Sequence, residues 1–557
     1  MPPVSPRALR FALPRRLLLL PLTVVVILGL GGPPPAAAAG LKKSTLGVPM
    51  SDGARLATDV YTPRGRGCWP AVLIRTPYSK SQIKTIMARF VCRKGYALVV
   101  QDMRGQGGGP RQTLVFLDDD VRHTDGHDTI RWIARQTWCD GRVGTWGPSA
   151  AGVVQNLSGA GAPSALKAQY ISMAFSDMYQ HAAYPGGAFR KSLVTGWIRE
   201  YNLGNHLLEH IREHPTYDGQ WESLNAERTA PQISAPAIYL GGWHDAFMQG
   251  ALNQFAAVQN FGAEPARGHC RLIVGPWSHH DLDWLIRPRG QRAYPADGRP
   301  FDWFNTWLKC GGRGAYRAKP VHYYVMGASG ACHGHFWRAD ETWPPPATVT
   351  PLYLRADRRL TADEPAADEP ARRYTYNPNC PVPTLGGRNL NLAQGPRDQQ
   401  CVERRGDVLT FTTAPLACPV EVTGRLLAKL HVSSNQPDTD FTVKLTDVYP
   451  DGRSMLIADG ILRARYREGF TAPAWLEPGA VYPIDVDLWS TSYVFPPGHR
   501  IRVAVSSSNS PRFEPNPNTG PTGGDPVEAT NTLHFAADAP SYIQLPVYGG
   551  GVMGFAE

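Results

Sequence analysis

Two hydrophobic patterns divide the chain. In its first half, short apolar runs stand between stretches with helical spacing. Pro70-Ala71-Val72-Leu73-Ile74, Ala97-Leu98-Val99-Val100, the 236–241 run and the 271–275 run are strand-length and nearly free of polar residues. Strands buried on both faces of a parallel sheet read this way. The stretch from Ser81 to Lys94 and that from Asp128 to Thr137 have helical spacing. The second of them leads into a strand-like run, Arg142 to Trp146. Ahead of all these, "LGVPMSDGARLATDVYTP" alternates apolar and polar positions around Ser51-Asp52-Gly53 and predicts a hairpin. The sum is an α/β domain with a mostly parallel sheet.

Residues 166–231 differ. "GWIREYNLGNHLLEHIREH" has helical spacing, and the region predicts a helical cap inserted over the carboxyl edge of the sheet. After "ETWPPP" at 341–346 the period changes to two. Phe441, Val443 and Leu445 alternate with threonine and lysine, as do Ile484, Val486 and Leu488 with Pro483, Asp485 and Asp487. An all-β sandwich or jelly roll is expected over 347–557, with long loops at 360–400. The core is then made of 41–165 and 232–346.

The amino terminus changes the picture of where the protein works. Arg7, Arg10, Arg15 and Arg16 precede an apolar stretch from Leu17 to Leu30, followed by Pro33-Pro34-Pro35 and four alanines. Residues 1–39 read as a cleavable signal peptide, and the mature protein as secreted or periplasmic. Arg15-Arg16 also raises the twin-arginine route. The formal charge of +10 includes the four leader arginines, which leaves about +6. No basic block with interleaved aromatics occurs, so no nucleic-acid partner is indicated, and no stable membrane span is expected after cleavage. Nine cysteines leave at least one unpaired. Export permits disulfides, with Cys380–Cys401 one guess at a pair.

The candidate chemistry begins with WGPSAAG, residues 146–152. Serine attacks a carbonyl only if a base takes its proton and the oxyanion finds donors. A sharp strand-to-helix turn meets both needs, and its crowding demands small neighbours such as Gly147, Ala150, Ala151 and Gly152. The motif alone leaves a Gly/Ala-rich bend equally open. Its partners decide between them. Asp245 follows the 237–240 run and His279 follows 271–275, so both fall at carboxyl ends of expected parallel strands. The order Ser149, Asp245, His279 is that of α/β-hydrolases. A helix-capping role for Asp245 and a loop role for His279, with His244 and His280 as rival bases, are the plainer readings.

The segments "VPMSDGARLATDVYTP", "VLIRTPYSK", "VVQDMRG", "WCDGRVGTWGPSAAG", "HPTYDGQW", "GGWHDAF", "VGPWSHH" and "FPPGHRIRVAVSSSNSPRFEPNPNTG" follow one another from about 44 to 520. In these segments and their order the chain resembles the cocaine-esterase-like hydrolases of the Xaa-Pro dipeptidyl-peptidase (S15) group. The resemblance implies an α/β-hydrolase core, a helical cap and a carboxyl-terminal jelly roll. It implies Ser149 as nucleophile, His279 as general base and acid, and Asp245 as the carboxylate that orients His279. It places Tyr78 in the oxyanion hole, with the Ala150 N–H as second donor. No metal or organic cofactor is called for. The expected partner is a small-molecule ester or amide, or a peptide; a homodimer is compatible with the sequence. Trp243, Phe247 and Tyr179 are candidate pocket lining. Pro148, ahead of the serine, and Ala151, where many such turns have glycine, depart from the pattern. So does Ala246-Phe247 after Asp245, where relatives that bind an ammonium carry acids. Ala331-Cys332-His333-Gly334-His335 reads as a surface loop rather than a metal site. The expected activity is ester or amide hydrolysis through an acyl-enzyme. The alternatives are an Xaa-Pro dipeptidyl-peptidase and a non-catalytic carbohydrate- or cell-wall-binding protein.

Overall fold

The computed structural model describes residues 41–83, 85–105, 116, 125–281, 298–312, 318–550 and 553–555. The expected leader at 1–39 lies outside them. The hairpin is β1 (Leu41–Pro49) and β2 (Arg55–Pro63). There follow β3 (Trp69–Thr76), α1 (Thr85–Arg93), β4 (Ala97–Asp102), α2 (Asp125–Ala134), β5 (Cys139–Pro148), α3 (Ala150–Ser158) and β6 (Leu166–Ser172). The sheet order is β1-β2-β4-β3-β5-β6, with β4, β3, β5 and β6 parallel. It continues through three more parallel strands, β7 (Ala237–His244), β8 (Arg271–Ser278) and β9 (Val321–Gly327), and ends at the antiparallel β10 (Phe336–Asp340). This is an α/β-hydrolase core. Its central strands are buried along their length, as in β4 and in β7 up to Trp243, which is why their sequences are continuous apolar runs.

The cap begins later than the sequence suggests. Residues 166–172 are not cap but β6, a core strand paired with β5 and β7. Its polar Gln169 hides it, because that side chain is buried yet donates to the Gln155 carbonyl at 2.8 Å. The cap itself carries a π-helical turn at Tyr179–Ala183, α4 (Lys191–Glu200), α5 (Asn205–Glu213) and α6 (Gly219–Ser223). Leu193, Val194 and Ile198 of α4, Leu207 and Ile211 of α5, and Trp221 of α6 bury into the common core. Asp218 caps α6 by accepting the Gln220 N–H at 2.9 Å. After the cap the chain returns to the core as β7, followed by α7 (Met248–Phe261), which packs on it.

One buried cap carboxyl predicts a pH dependence. Asp177 accepts from the Gln180 N–H at 3.1 Å and from Asn225 Nδ2 at 2.8 Å, and among the described residues no cation pairs with it. Burial pushes its carboxyl up to about 7, helped by the nearby charge of Glu227. The unfolded chain releases this proton near pH 4, whereas the folded chain keeps it until about 7. Folded protein therefore binds the extra proton, and stability falls as pH rises through that window. Between pH 5 and 8 the wild-type Tm should fall by roughly 3–5 °C more than that of Asp177→Asn. Parallel Tm–pH curves for the two proteins would refute this.

The rest of the chain forms a two-sheet sandwich. Its strands are β11 (Ala347–Leu354), β12 (Leu360–Thr361), β13 (Arg372–Tyr376), β14 (Leu409–Thr412), β15 (Val420–Ser434), β16 (Asp440–Val448), β17 (Ser454–Arg463), β18 (Tyr482–Phe495), β19 (Arg500–Ser506), β20 (Ala529–His534) and β21 (Tyr542–Tyr548). The 15-residue β15 pairs with β18 on one edge, and with β21 and β20 in succession on the other. The second sheet runs β14-β19-β16-β17. Ile484, Val486 and Leu488 point inward with Phe441, Val443 and Leu445, into one shared core. Each such fully buried aliphatic side chain is worth roughly 1.5–3 kcal/mol. A short parallel pairing of β18 with β9 joins the sandwich to the core.

All nine cysteines are free thiols, so the Cys380–Cys401 bridge is not formed. Ala331–His335 lies in the connection between β9 and β10. Among the described residues no helix is long and apolar enough to cross a membrane.

Candidate active site

Strand β5 delivers Ser149 on a strained turn. Its φ of 55° and ψ of −128° lie where side-chain-bearing residues are rarely found. Pro148 is the last residue of β5, opposite Ser172 of β6. The ladder nevertheless continues past the proline, because the Ser149 N–H donates to the Ser172 carbonyl at 2.9 Å. Beyond the serine, α3 starts at once, and the Ser149 carbonyl accepts from the Gly152 and Val153 N–H groups. A Cβ added at Gly147 would lie 2.5 Å from the Ala151 Cβ. The turn therefore tolerates Ala151 only because residue 147 has no side chain. At the first position of a helix, the Ala150 N–H has no carbonyl four residues back to bond.

The ends of β7 and β8 bring the other two residues to the serine. A Cβ at Gly242 would sit 2.3 Å from the Trp277 carbonyl oxygen, so glycine permits the two strand ends to close together. Asp245 is fully buried and His279 nearly so. Asp245 Oδ1 accepts from the Phe247 N–H at 2.7 Å, and Oδ2 faces His279 Nδ1 at 2.5 Å. That contact puts the ring proton on Nδ1, since an ionised carboxylate only accepts. Nε2 is left as an acceptor, 3.1 Å from Ser149 Oγ. The structure thus brings Ser149, His279 and Asp245 into one hydrogen-bonded line. Neither His244 nor His280 occupies this position; His280 Nε2 donates to the Leu390 carbonyl.

Ser149 opens on an apolar pocket with an empty volume of about 660 Å³. Phe116, Phe175, Trp197 and Phe247 line it, with Met178, Leu193 and Val194 between. The rings form a chain: Trp197 stacks on Phe116, Phe116 meets Phe175 edge-on, Phe175 meets Phe247, and Phe247 meets His279. Tyr78 lines the same space. Its hydroxyl oxygen accepts from Trp197 Nε1 at 2.8 Å, and its ring stacks on Tyr201 with centroids 3.9 Å apart. Burial holds the phenol proton well above its ordinary range; the neighbouring Tyr201 and the Glu200 charge add to this, and the Trp197 N–H opposes it. Of the expected lining residues, Phe247 is in the pocket. Trp243 and Tyr179 are core, donating to the Tyr324 and Pro215 carbonyls.

Two buried arginines brace the Asp245 loop from behind. Arg190 donates to the carbonyls of His181, Ala246 and Arg388. Arg388, from the sandwich, donates to those of Trp243, Leu488 and Ser490. Their guanidinium groups flank the Trp489 ring, 5.7 and 5.8 Å from its centroid. Burial pushes Arg388 down to about 10. Neither this brace nor the place of Phe116, Phe175, Trp197 and Tyr201 at the pocket is legible in the sequence. Only the i, i+4 spacing of Trp197 and Tyr201 was visible, and it does not say what they face.

Known proteins resemble this chain along most of its length. Residues 52–203 and 197–281 match the model of the X-Pro dipeptidyl-peptidase (S15) family. Residues 313–544 match that of the X-Pro dipeptidyl-peptidase C-terminal non-catalytic domain. Cocaine esterase of Rhodococcus sp. (strain MB1 Bresler) is 35% identical over 90% of this chain and 98% of its own length. The chain belongs to the S15 family of serine hydrolases. An α-amino acid ester hydrolase is 25% identical in sequence, with a TM-score of 0.76 over 92% of this chain and 98% of its own. An aminopeptidase from a marine sediment Thaumarchaeota archaeon shares the fold at the same TM-score and 23% identity, over 93% of this chain and 98% of that one. The proteins to which this chain is similar are thus named for ester substrates and for peptides.

Proposed function

We propose that this protein is an exported serine esterase that forms an acyl-enzyme on Ser149. The observation that carries the reading is the Ser149–His279–Asp245 line at the floor of an apolar pocket. His279 Nε2 takes the Ser149 proton as Oγ attacks the ester carbonyl carbon. The carbonyl oxygen becomes an oxyanion, held by the Tyr78 O–H and the Ala150 N–H. The intermediate collapses with cleavage of the bond to the alcohol oxygen, which receives the proton from His279. Water then repeats the sequence and frees the acid. Asp245 keeps the imidazole proton on Nδ1 throughout. No step uses a metal or organic cofactor.

The pocket favours an ester with an apolar acyl group over a peptide with a free amino terminus. A free ammonium needs a carboxylate beside it once it is desolvated. Among the described lining residues, Glu200 is the sole carboxylate, and it is exposed at the rim. The Arg-rich, apolar leader supports export.

A fluorophosphonate probe should label the purified protein, and the label should vanish in Ser149→Ala. kcat/KM for an aryl ester should exceed that for an Ala-Pro-anilide by more than a hundredfold. The reverse preference would establish the dipeptidyl-peptidase reading, and an unlabelled wild type would end the enzyme reading altogether.

A further inference from the structure

We infer that Trp197, on the cap, is a positioning residue that aims the Tyr78 hydroxyl at the reacting carbonyl, with Tyr201 fixing the plane of the ring. The inference rests on the reading of Tyr78 as an oxyanion donor and adds to it how the donor is directed.

A phenol oxygen offers one proton and accepts in or near the ring plane. In this protein the accepting side is taken by Trp197 Nε1–H at 2.8 Å. The proton must then point away from the indole. Among the described residues it meets no acceptor of its own, and the cavity it shares is the one that holds Ser149 and His279. Donation into the oxygen also polarises the O–H outward and makes it a better donor to a developing negative charge.

The helical period explains how one element does two jobs. Trp197 lies in α4 and Tyr201 is the residue that ends it, so the two are four apart and share a face. That face meets Tyr78 from two directions. Trp197 binds its oxygen, and Tyr201 lies parallel to its ring at 3.9 Å, with planes 20° apart. Tyr78 follows β3 in the core, while α4 belongs to the cap. The oxyanion site is therefore complete only when the cap is seated on the core. Phe116, stacked on Trp197 and 3° from parallel, holds the indole in its turn.

A double-mutant cycle on the full-length protein tests this, with steady-state hydrolysis of an aryl ester as readout. Trp197→Phe keeps a ring and removes the N–H. It should lower kcat by about tenfold and leave KM within about twofold. Tyr78→Phe should lower kcat by about a hundredfold or more. In the Tyr78→Phe background, Trp197→Phe should cost nothing further. Losses that multiply instead would show that Trp197 acts by packing the pocket, and would overturn the inference. A wild-type kcat in Trp197→Phe would do the same. A wild-type kcat in Tyr78→Phe would overturn the reading of Tyr78 itself, a distinct failure. If Trp197→Phe does not fold, placing 3-benzothienylalanine at 197 deletes the same N–H from a near-isosteric ring. The same tenfold loss in kcat is expected there, and no loss overturns the inference.

Discussion

Replacing Ser149 by alanine should lower kcat by about a million-fold while the protein keeps its wild-type melting curve. The size follows from what disappears. Without Oγ no acyl-enzyme forms, and water must attack directly, from a site shaped for a bound nucleophile. The proposed oxyanion donors, Tyr78 and Ala150, and the pocket remain, so a residual rate above the uncatalysed one should persist. The fold has no reason to suffer. Ser149 makes its structural bonds through the backbone, to Ser172, Gly152 and Val153, and alanine keeps all of these. Alanine even fits the turn, whose strain comes from φ rather than from the hydroxyl. The measurement is single-turnover hydrolysis beside a thermal melt. Residual activity of more than about a thousandth of wild type would mean that another nucleophile does the work.

Asp245→Asn should cost about ten-thousand-fold in kcat. The substitution changes little in shape and much in protonation. Asp245 Oδ2 accepts from His279 Nδ1, and Oδ1 accepts from the Phe247 N–H. An asparagine has one oxygen for two donors. If that oxygen stays with the Phe247 N–H, its NH2 group faces Nδ1, which must become the acceptor. The imidazole proton then moves to Nε2, the nitrogen that has to take the serine proton. The ring stays where it is and carries its proton on the wrong side. Substrate binding should be nearly untouched, so the loss should fall on kcat and leave KM close to wild type. A loss of tenfold or less would show that His279 needs no carboxylate here.

What was legible in the sequence follows from which constraints are local. Ser149 stood out because a crowded turn restricts its immediate neighbours, as the 2.5 Å approach at Gly147 makes concrete. Asp245 and His279 stood out because each follows a strand buried on both faces, which writes itself as an apolar run. β6 was lost for the opposite reason. Its interior face includes Gln169, a polar side chain whose hydrogen bond to the Gln155 carbonyl only the fold reveals. The Tyr78–Trp197 contact spans 119 residues, and the Arg190–Arg388 contact spans 198. No periodicity connects positions that far apart. The sandwich was legible as a class, because alternation is local, whereas its contribution to the Asp245 loop was not.

That contribution bears on when the Asp245 loop is secured. Arg190 holds the carbonyl of Ala246, next to Asp245, and also the carbonyl of Arg388. Arg388 in turn reaches back to Trp243. The core loop bearing the aspartate is thus gripped by groups from both the cap and the sandwich. Residues up to 281 supply every atom of the serine–histidine–aspartate line, yet they leave the ribosome well before Arg388 does. During synthesis the serine exists long before its aspartate is secured. The brace on the Asp245 loop is therefore complete only once the carboxyl-terminal sandwich has docked.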